Sequence, residues 1–472
     1  MDLRNDQPTA LTSKTTGAVL HRAKSFWFDT SQPYSPSEPL RGERTFDFCI
    51  VGGGITGLST AYHLKKLDPG ASVALLEAEV IGYGASGRNA GQLIVQFGGG
   101  DLAAAVRRNG ARAMGEGLSY VADGIKLIEA LQRDESIDCD YAATGTMKVA
   151  LRIEGDSEIE RYQKLYDKMG HGETLSYLGQ SQVESELASP YLGAAVFDRR
   201  GGQFNPLKLV RGLKSAAERL GVEIFENTPV AAIEAERRDV LLHTGAGLAR
   251  CKKVVLATNA FTHQLAGLTG LAIQREQTPL MVKGTITEPL TDKQWKAAGW
   301  PRRGGVNVLS QMFYSFAPTI DGRILHVGGY YTSAPFDRSL SPEIEWRLKN
   351  LGHLSAFFPA MSEVKTAQTW GGPISITADW RPHLGQTRDP RILYACGCWG
   401  HGMGIGTHHG RTLAELALER RSDSTDLWFV RQAGRSWPSR MLAGLLATRV
   451  IYHRRRGSRK IGAGMKPPVR FD

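Results

Sequence analysis

Cysteine is sparse in this sequence: 472 residues hold five, Cys49, Cys139, Cys251, Cys396 and Cys398. An odd, scattered set offers no disulfide framework and fits free thiols in a reducing compartment. Cys396 and Cys398 are separated by one residue, not the two of C-x-x-C, and no second pair matches them, so no metal site is expected. No run reaches the roughly 18 apolar residues of a membrane span. The first forty residues show no apolar stretch of the secretory type. These absences predict a cytoplasmic protein. Acidic residues are missing from one place, Arg431 to Lys466, which holds ten Arg and Lys. That tail accounts for nearly all of the net charge of +11, and the rest of the chain is close to neutral. The body therefore gives no electrostatic reason to expect DNA or RNA as a partner.

The chain is 42% hydrophobic and 22% charged, enough for a sizeable core and two ordinary domains. Its densest signal lies in residues 45–92. Phe46 to Val51 is an apolar run of strand type that feeds Gly52-Gly53-Gly54-Ile55-Thr56-Gly57, a G-x-G-x-x-G turn. Leu58, Ala61, Tyr62, Leu64 and Leu67 then form the stripe of an amphipathic helix. A second strand, Ser72 to Leu76, ends on Glu77 and Ala78, with the acid twenty positions beyond Gly57. In a dinucleotide fold Gly52 allows the tight turn, Gly54 admits the pyrophosphate, and Gly57 lets helix and strand pack closely. The amides of Ile55 and Thr56 at the helix start face the phosphates. Glu77 would accept hydrogen bonds from a ribose and repel a 2′-phosphate, which argues against NADP. A plain glycine-rich loop is the alternative, and the spacing leaves NAD and FAD open.

Downstream, Asn205-Pro206 reads as an N-cap and first helical residue, with a strand at Val222 to Phe225. Lys253 to Ala260 is another buried-type strand ending in the small residues Ala257, Thr258 and Asn259, as a crevice for a flat ligand requires. Between 273 and 358 the pattern turns to separated strands of antiparallel type, Pro279 to Thr287, Gln311 to Phe316 and Ile324 to Tyr331, with a helix over Pro342 to Phe358. Ile392 to Cys396 runs into Gly397-Cys398-Trp399-Gly400-His401-Gly402-Met403-Gly404 and a second helix start, again suited to an anion.

The run Gly84-Ala85-Ser86-Gly87-Arg88-Asn89-Ala90-Gly91-Gln92 resembles the flavin-contacting segment of the D-amino-acid oxidase superfamily, most nearly its gamma-glutamylputrescine oxidase branch. The segment Gly400-His401-Gly402-Met403 resembles the one that lies beneath the isoalloxazine in amine and amino-acid oxidases. The resemblance implies an α/β fold: a Rossmann-type FAD-binding domain of glutathione-reductase-like βαβ type, with an inserted α+β substrate domain on an antiparallel sheet. We expect an arm at 1–44 and the FAD domain in three segments, 45–110, 190–262 and 360–425. The substrate domain would take 111–189 and 263–359, and a basic tail with an amphipathic helix 426–472. Val230 would pass the adenine. Superfamily members that tether flavin through cysteine do so in a region matching Trp370 to Asp379, which has none here. Non-covalent FAD is therefore expected, with Trp370 against it.

The implied reaction is hydride removal from the carbon beside a secondary or substituted amine, then imine hydrolysis, with oxygen reduced to peroxide. His326 matches the place where sarcosine oxidase-like enzymes carry a lysine that helps oxygen accept electrons; His401 is a second candidate. Tyr314 and Phe316 would line the amine, and no arginine precedes Asp321-Gly322-Arg323 to clamp an α-carboxylate. His383, His408 and His409 read as packing or surface residues. A quinone-linked dehydrogenase on the same scaffold is one alternative, and a non-catalytic flavin-binding or RNA-associated protein another. In the tail, Met441, Leu442, Leu445, Leu446, Val450 and Ile451 fall at helical spacing. Such a stripe docks on the protein's own body or lies on an anionic membrane as a peripheral contact.

Overall fold

The computed structural model describes residues 25–31, 33–265, 273–310, 312–331, 353–432 and 434–465. Residues 1–24 of the expected arm lie outside them, as does most of the helix expected over 342–358, whose last turn is His353–Phe357.

Two large sheets organise the chain. In the first, Gly42–Val51 is central, paired in parallel with Val73–Leu76 on one side and Gly247–Leu256 on the other. Glu223–Phe225 extends it beyond Val73–Leu76, Ile392–Cys396 beyond Gly247–Leu256, and His383–Gln386 closes that edge antiparallel. The central strand is apolar at nearly every position from Phe46 to Val51 because helices cover the sheet. Ile55–Leu67, Pro206–Arg219 and Gly402–Ala417 share the largest apolar core with it. Asn205 caps Pro206–Arg219 as expected, its side chain accepting from the amides of Leu207 and Lys208.

The second sheet runs Thr366–Thr377, Gln277–Thr287, Ile324–Tyr331, Tyr314–Pro318, Gly305–Leu309, Thr146–Leu151, Leu192–Asp198, Leu175–Leu178. It is antiparallel except where Gly305–Leu309 meets Thr146–Leu151. The α/β class, the parallel βαβ opening and the antiparallel second sheet all agree with the sequence reading.

Three boundaries differ. Thr366–Thr377, expected in the nucleotide unit, forms the edge of the second sheet and pairs with Gln277–Thr287 along its whole length. Leu192–Asp198 also belongs there, between Thr146–Leu151 and Leu175–Leu178. Ala111–Asp134, expected in the second unit, packs on Gly402–Ala417 instead. Gly124 permits that approach, since a Cβ there would sit 2.1 Å from the Gly404 carbonyl oxygen.

The rest of the expected arm, which precedes the first strand, begins with one helical turn, Phe26–Asp29. Its prolines come later, at 33, 36 and 39, so nothing prevents the turn. Trp27 Nε1 donates to the Asn89 carbonyl oxygen (2.9 Å) and Ser25 Oγ to that of Gly87 (2.5 Å), pinning the loop that follows the first βαβ unit.

The tail forms one helix, Arg440–Gly464, started by Ser439, whose hydroxyl accepts from the Leu442 amide. It docks through Ala443, Ala447 and Ile451 on the second sheet, where Ala447 meets Leu280 and Ile376. Of the large apolar stripe read from the sequence, only Ile451 takes part; Met441, Leu442, Leu445, Leu446 and Val450 face outward. Small side chains win the contact because they let the helix backbone approach the sheet. Among the described residues no helix is long and apolar enough to cross a membrane.

Candidate active site

The carboxyl ends of the parallel strands and one face of the second sheet enclose an open cleft. Both glycine-rich turns open into it. Gly52, at φ +112°, ends the central strand, and a Cβ there would lie 2.8 Å from the Ala257 carbonyl oxygen. At Gly57 a Cβ would come within 1.9 Å of the Gly52 oxygen, so close packing of helix on strand requires glycine. The helix start at Gly54 has no side-chain cap, and neither has the start of Gly402–Ala417. Two amino-terminal helix dipoles thus converge on one space.

Of the residues singled out in the sequence, Gly54, Ile55 and Thr56 line the cleft from the first turn, and Gly400, His401, Gly402 and Met403 from the second. The connecting loop contributes Ser86, Arg88, Asn89, Ala90 and Gln92, and the strand end Ala257 and Asn259. Ser86 Oγ accepts from the Ile55 amide at 3.0 Å and ties loop to helix. Gln92 Nε2 donates to Ser315 Oγ and the Phe316 carbonyl oxygen, both at 2.9 Å, tying the loop to the second sheet.

Others stand behind the wall. Gly52 and Gly57 shape the turn, and Gly91 lies where a Cβ would strike the Phe204 carbonyl oxygen. Trp370 is buried, its Nε1 donating to the Arg88 carbonyl oxygen at 2.9 Å, so it holds Arg88 in place from outside the cleft. Thr258 bonds Thr262. Glu77 sits at the end of its strand and accepts from the amides of Gly53 and Glu79. Burial raises its pKa to about 7, although both amide bonds act to lower it. Ala78 and Val230 do not line the cleft.

Tyr314, Phe316 and His326 do not line it either. Strand residues alternate between faces, and here the odd positions face inward: Phe313 and Ser315 on one strand, Val327 on the next. Tyr314 and Phe316 belong to the core beneath the sheet. His326 stacks on Phe316 with ring centroids 4.7 Å apart, and its Nδ1 lies 3.2 Å from the Ser315 carbonyl oxygen.

The cation that does line the cleft is Lys283, only 3% exposed. It lies in Gln277–Thr287, where the pairing with Ile324–Tyr331 slips between Val282 and Gly284. Such a bulge re-aims side chains, and Val282, Lys283 and Gly284 all line the wall. Burial lowers the Lys283 pKa to about 8. The signal in the sequence was one lysine inside the apolar run Thr278-Pro279-Leu280-Met281-Val282-Lys283-Gly284.

Arg88 is the second cation. Its Nε donates to the Tyr83 carbonyl oxygen at 2.7 Å, while Nη2 is buried without a partner among the described residues. Burial lowers its pKa to about 10, which leaves it charged at neutral pH. His401 Nδ1 and His409 Nε2 also lack partners there. Burial holds both imidazoles near a pKa of about 3, with repulsion from Lys148 and His408 respectively adding to it, so both are neutral. His409 was expected to pack or face solvent and instead reaches the cleft, while His383 and His408 are buried packing residues. No carboxylate lines the cleft among the described residues. Two buried cations, two helix starts and three unpartnered polar groups fit a large, flat, anionic ligand.

Residues 47–416 match the FAD dependent oxidoreductase family. The chain belongs to that family. It is 29% identical over 401 residues to the gamma-glutamylputrescine oxidoreductase of Escherichia coli strain K12, covering 84% of this chain and 89% of the relative. The glycine oxidase of Bacillus licheniformis is 26% identical, over 79% of this chain and 94% of its own. Among solved structures, glycine oxidase from Geobacillus kaustophilus superposes with a TM-score of 0.66 at 22% identity, covering 83% of this chain and all of that one. The chain is thus an FAD-dependent oxidoreductase, and the two helix starts that open into the cleft suit a cofactor carrying phosphates.

Proposed function

We propose that this protein is an FAD-dependent oxidase of amines, holding its cofactor without a covalent bond and passing electrons to oxygen. The observation that carries the reading is the cleft itself, lined by the buried Lys283 and Arg88 and by both glycine-turn helix starts. Bound there, FAD would accept a hydride from the carbon beside the amine nitrogen.

The chain's own residues have four tasks. The amides of Gly54 and Thr56 would hold the pyrophosphate and Glu77 the ribose. The Gly400–Met403 turn and Arg88 would hold the ring end. The two cations and the apolar wall of Val282, Phe313, Val327 and Ile374 disfavour a protonated amine, so the substrate is bound neutral and ready to release hydride. Lys283, charged at neutral pH, would stabilise negative charge as oxygen accepts electrons. Water completes the reaction by hydrolysing the imine to an aldehyde or keto product and free amine.

Cys396 and Cys398 line the cleft. Burial pushes the Cys396 thiol up in pKa, and Cys398 Sγ accepts from Asn259 Nδ2 at 3.5 Å. The burial of Cys396 disfavours a thiolate nucleophile there, which supports a dissociable cofactor. Glycine and gamma-glutamylputrescine, suggested by the relatives, belong in the first substrate panel.

The test is an anaerobic screen of amines, amino acids and polyamine conjugates for bleaching of the protein's visible absorbance. One class should bleach it, and air should restore the colour with one peroxide formed per amine consumed. Acid precipitation should release the yellow cofactor into the supernatant. Bleaching without peroxide, but with reduction of a quinone analogue, would move the assignment to a dehydrogenase. A colourless protein that refuses FAD would end it.

A further inference from the structure

We propose that the outward face of the helix Arg440–Gly464 docks on an anionic lipid bilayer. Nine large apolar side chains are exposed among the described residues, and six of them lie on this one helix. Met441 and Leu445 are 62% and 60% exposed, and Leu442, Leu446, Val450 and Tyr452 accompany them. A soluble surface seldom gathers its exposed apolar residues so tightly without a partner.

The arrangement along the helix names the partner. At 3.6 residues per turn, Met441, Leu442, Leu445 and Leu446 form an apolar ridge over the first two turns. The same face continues through Arg449, Tyr452, His453, Arg456, Arg459 and Lys460, all exposed. No acid occurs from 431 to 465. An apolar ridge followed by a cationic strip with an aromatic between them suits a helix lying in the headgroup layer of an anionic bilayer. A second copy fits poorly, because a two-fold contact of this face brings two acid-free cationic strips together and offers neither a counter-charge. The opposite face is already committed to the body, so the helix can lie between the sheet and a lipid surface. Its docked residue Ala447 meets a cluster that includes Ile374 and Trp399, two residues of the cleft wall. Attachment would therefore place one wall of the active site beside the membrane.

Co-sedimentation of the FAD-loaded enzyme with vesicles tests this without reference to catalysis. Vesicles of phosphatidylcholine with roughly 30% phosphatidylglycerol should bind at least about tenfold more tightly than pure phosphatidylcholine, and raised salt should weaken the binding. Leu445→Glu with Leu446→Glu should lose about tenfold or more. Arg456→Glu with Arg459→Glu should lose a similar factor together with most of the salt dependence. Both pairs are exposed, so flavin absorbance and melting temperature should stay at the wild-type values. A Leu445→Cys variant should react rapidly with a maleimide in free solution and be protected by the anionic vesicles. Absence of binding, or equal binding to both vesicle types, would overturn the proposal. So would dimerisation that the Leu445→Glu pair abolishes, which would mark a second copy as the occupant. Slow labelling of the Leu445→Cys variant in free solution would mean that the chain itself covers this face, residues 332–352 included, and would equally refute it.

Discussion

Replacing Lys283 with methionine separates the two halves of the proposed reaction. The side chain is 3% exposed, so the substitution keeps the volume of the wall and removes its charge. A unit charge about 6 Å from a forming anion, at an effective dielectric near 20, contributes about 2.8 kcal/mol. That corresponds to about a hundredfold in rate, in line with the loss of one charge-stabilising group in other active sites. Stopped-flow absorbance can read both halves. Anaerobic bleaching by the amine should change by less than about threefold, while recovery of colour in oxygenated buffer should slow by about a hundredfold.

The pH dependence follows from the lysine's lowered pKa of about 8. The cation is present below that value and is lost as pH rises through it, so between pH 7 and pH 9 the oxygen half of the wild-type reaction should fall about ninefold. The methionine variant should be flat over the same window. Stability supplies a control with its own sign. Below pH 8 the folded protein bears the cost of burying a charged lysine; between about 8 and the ordinary 10.5 it sheds that proton before the unfolded chain does. The methionine variant should therefore melt no lower than wild type at pH 7, and any advantage should shrink towards pH 10. Equal slowing of both halves would assign Lys283 to the amine or to the fold. No change in either would remove it from the reacting end of the cleft.

Three further substitutions probe the scaffold. Gly57→Ala places a Cβ 1.9 Å from the Gly52 carbonyl oxygen, so the purified variant should be colourless or insoluble, whereas Gly245→Ala, with nothing within 4 Å, should bind flavin as wild type does. His383 is fully buried between Asp379 (2.8 Å) and Glu276 (2.9 Å). Burial alone would lower its pKa, but Asp379, Cys396 and Glu276 together hold it up at about 11. His383→Leu should cost about 3 kcal/mol in denaturant unfolding at pH 6, because two carboxylates lose their shared cation. Since the folded pKa is raised, that contribution is complete below about pH 6.5 and declines as pH climbs towards 11, so the deficit should narrow over that range. A deficit that widens with pH would show that the imidazole is not the charged partner.

What the sequence disclosed and what it withheld divide along one physical line. The glycine turns were legible because a tight turn, a close helix and an acid at the second strand's end are local demands, met within about thirty residues of chain. The Asn205 cap was legible for the same reason. Sheet membership of Thr366–Thr377 was not, because its partner lies some ninety residues earlier and apolar strands read alike in either sheet. The strand at Tyr314–Pro318 was found, yet which of its faces looks into the cleft depends on how the whole sheet is set against the nucleotide unit. A shift of one residue exchanges Tyr314 and Phe316 for Phe313 and Ser315. His326, singled out by resemblance, lies one position from the inward-facing Val327, while a bulge turned Lys283 into the space. In the tail helix, hydrophobic periodicity marked the large residues as the docking stripe, but close approach to a sheet favours alanine. The leucines were thereby left facing outward, where a bilayer rather than the protein's own body can cover them.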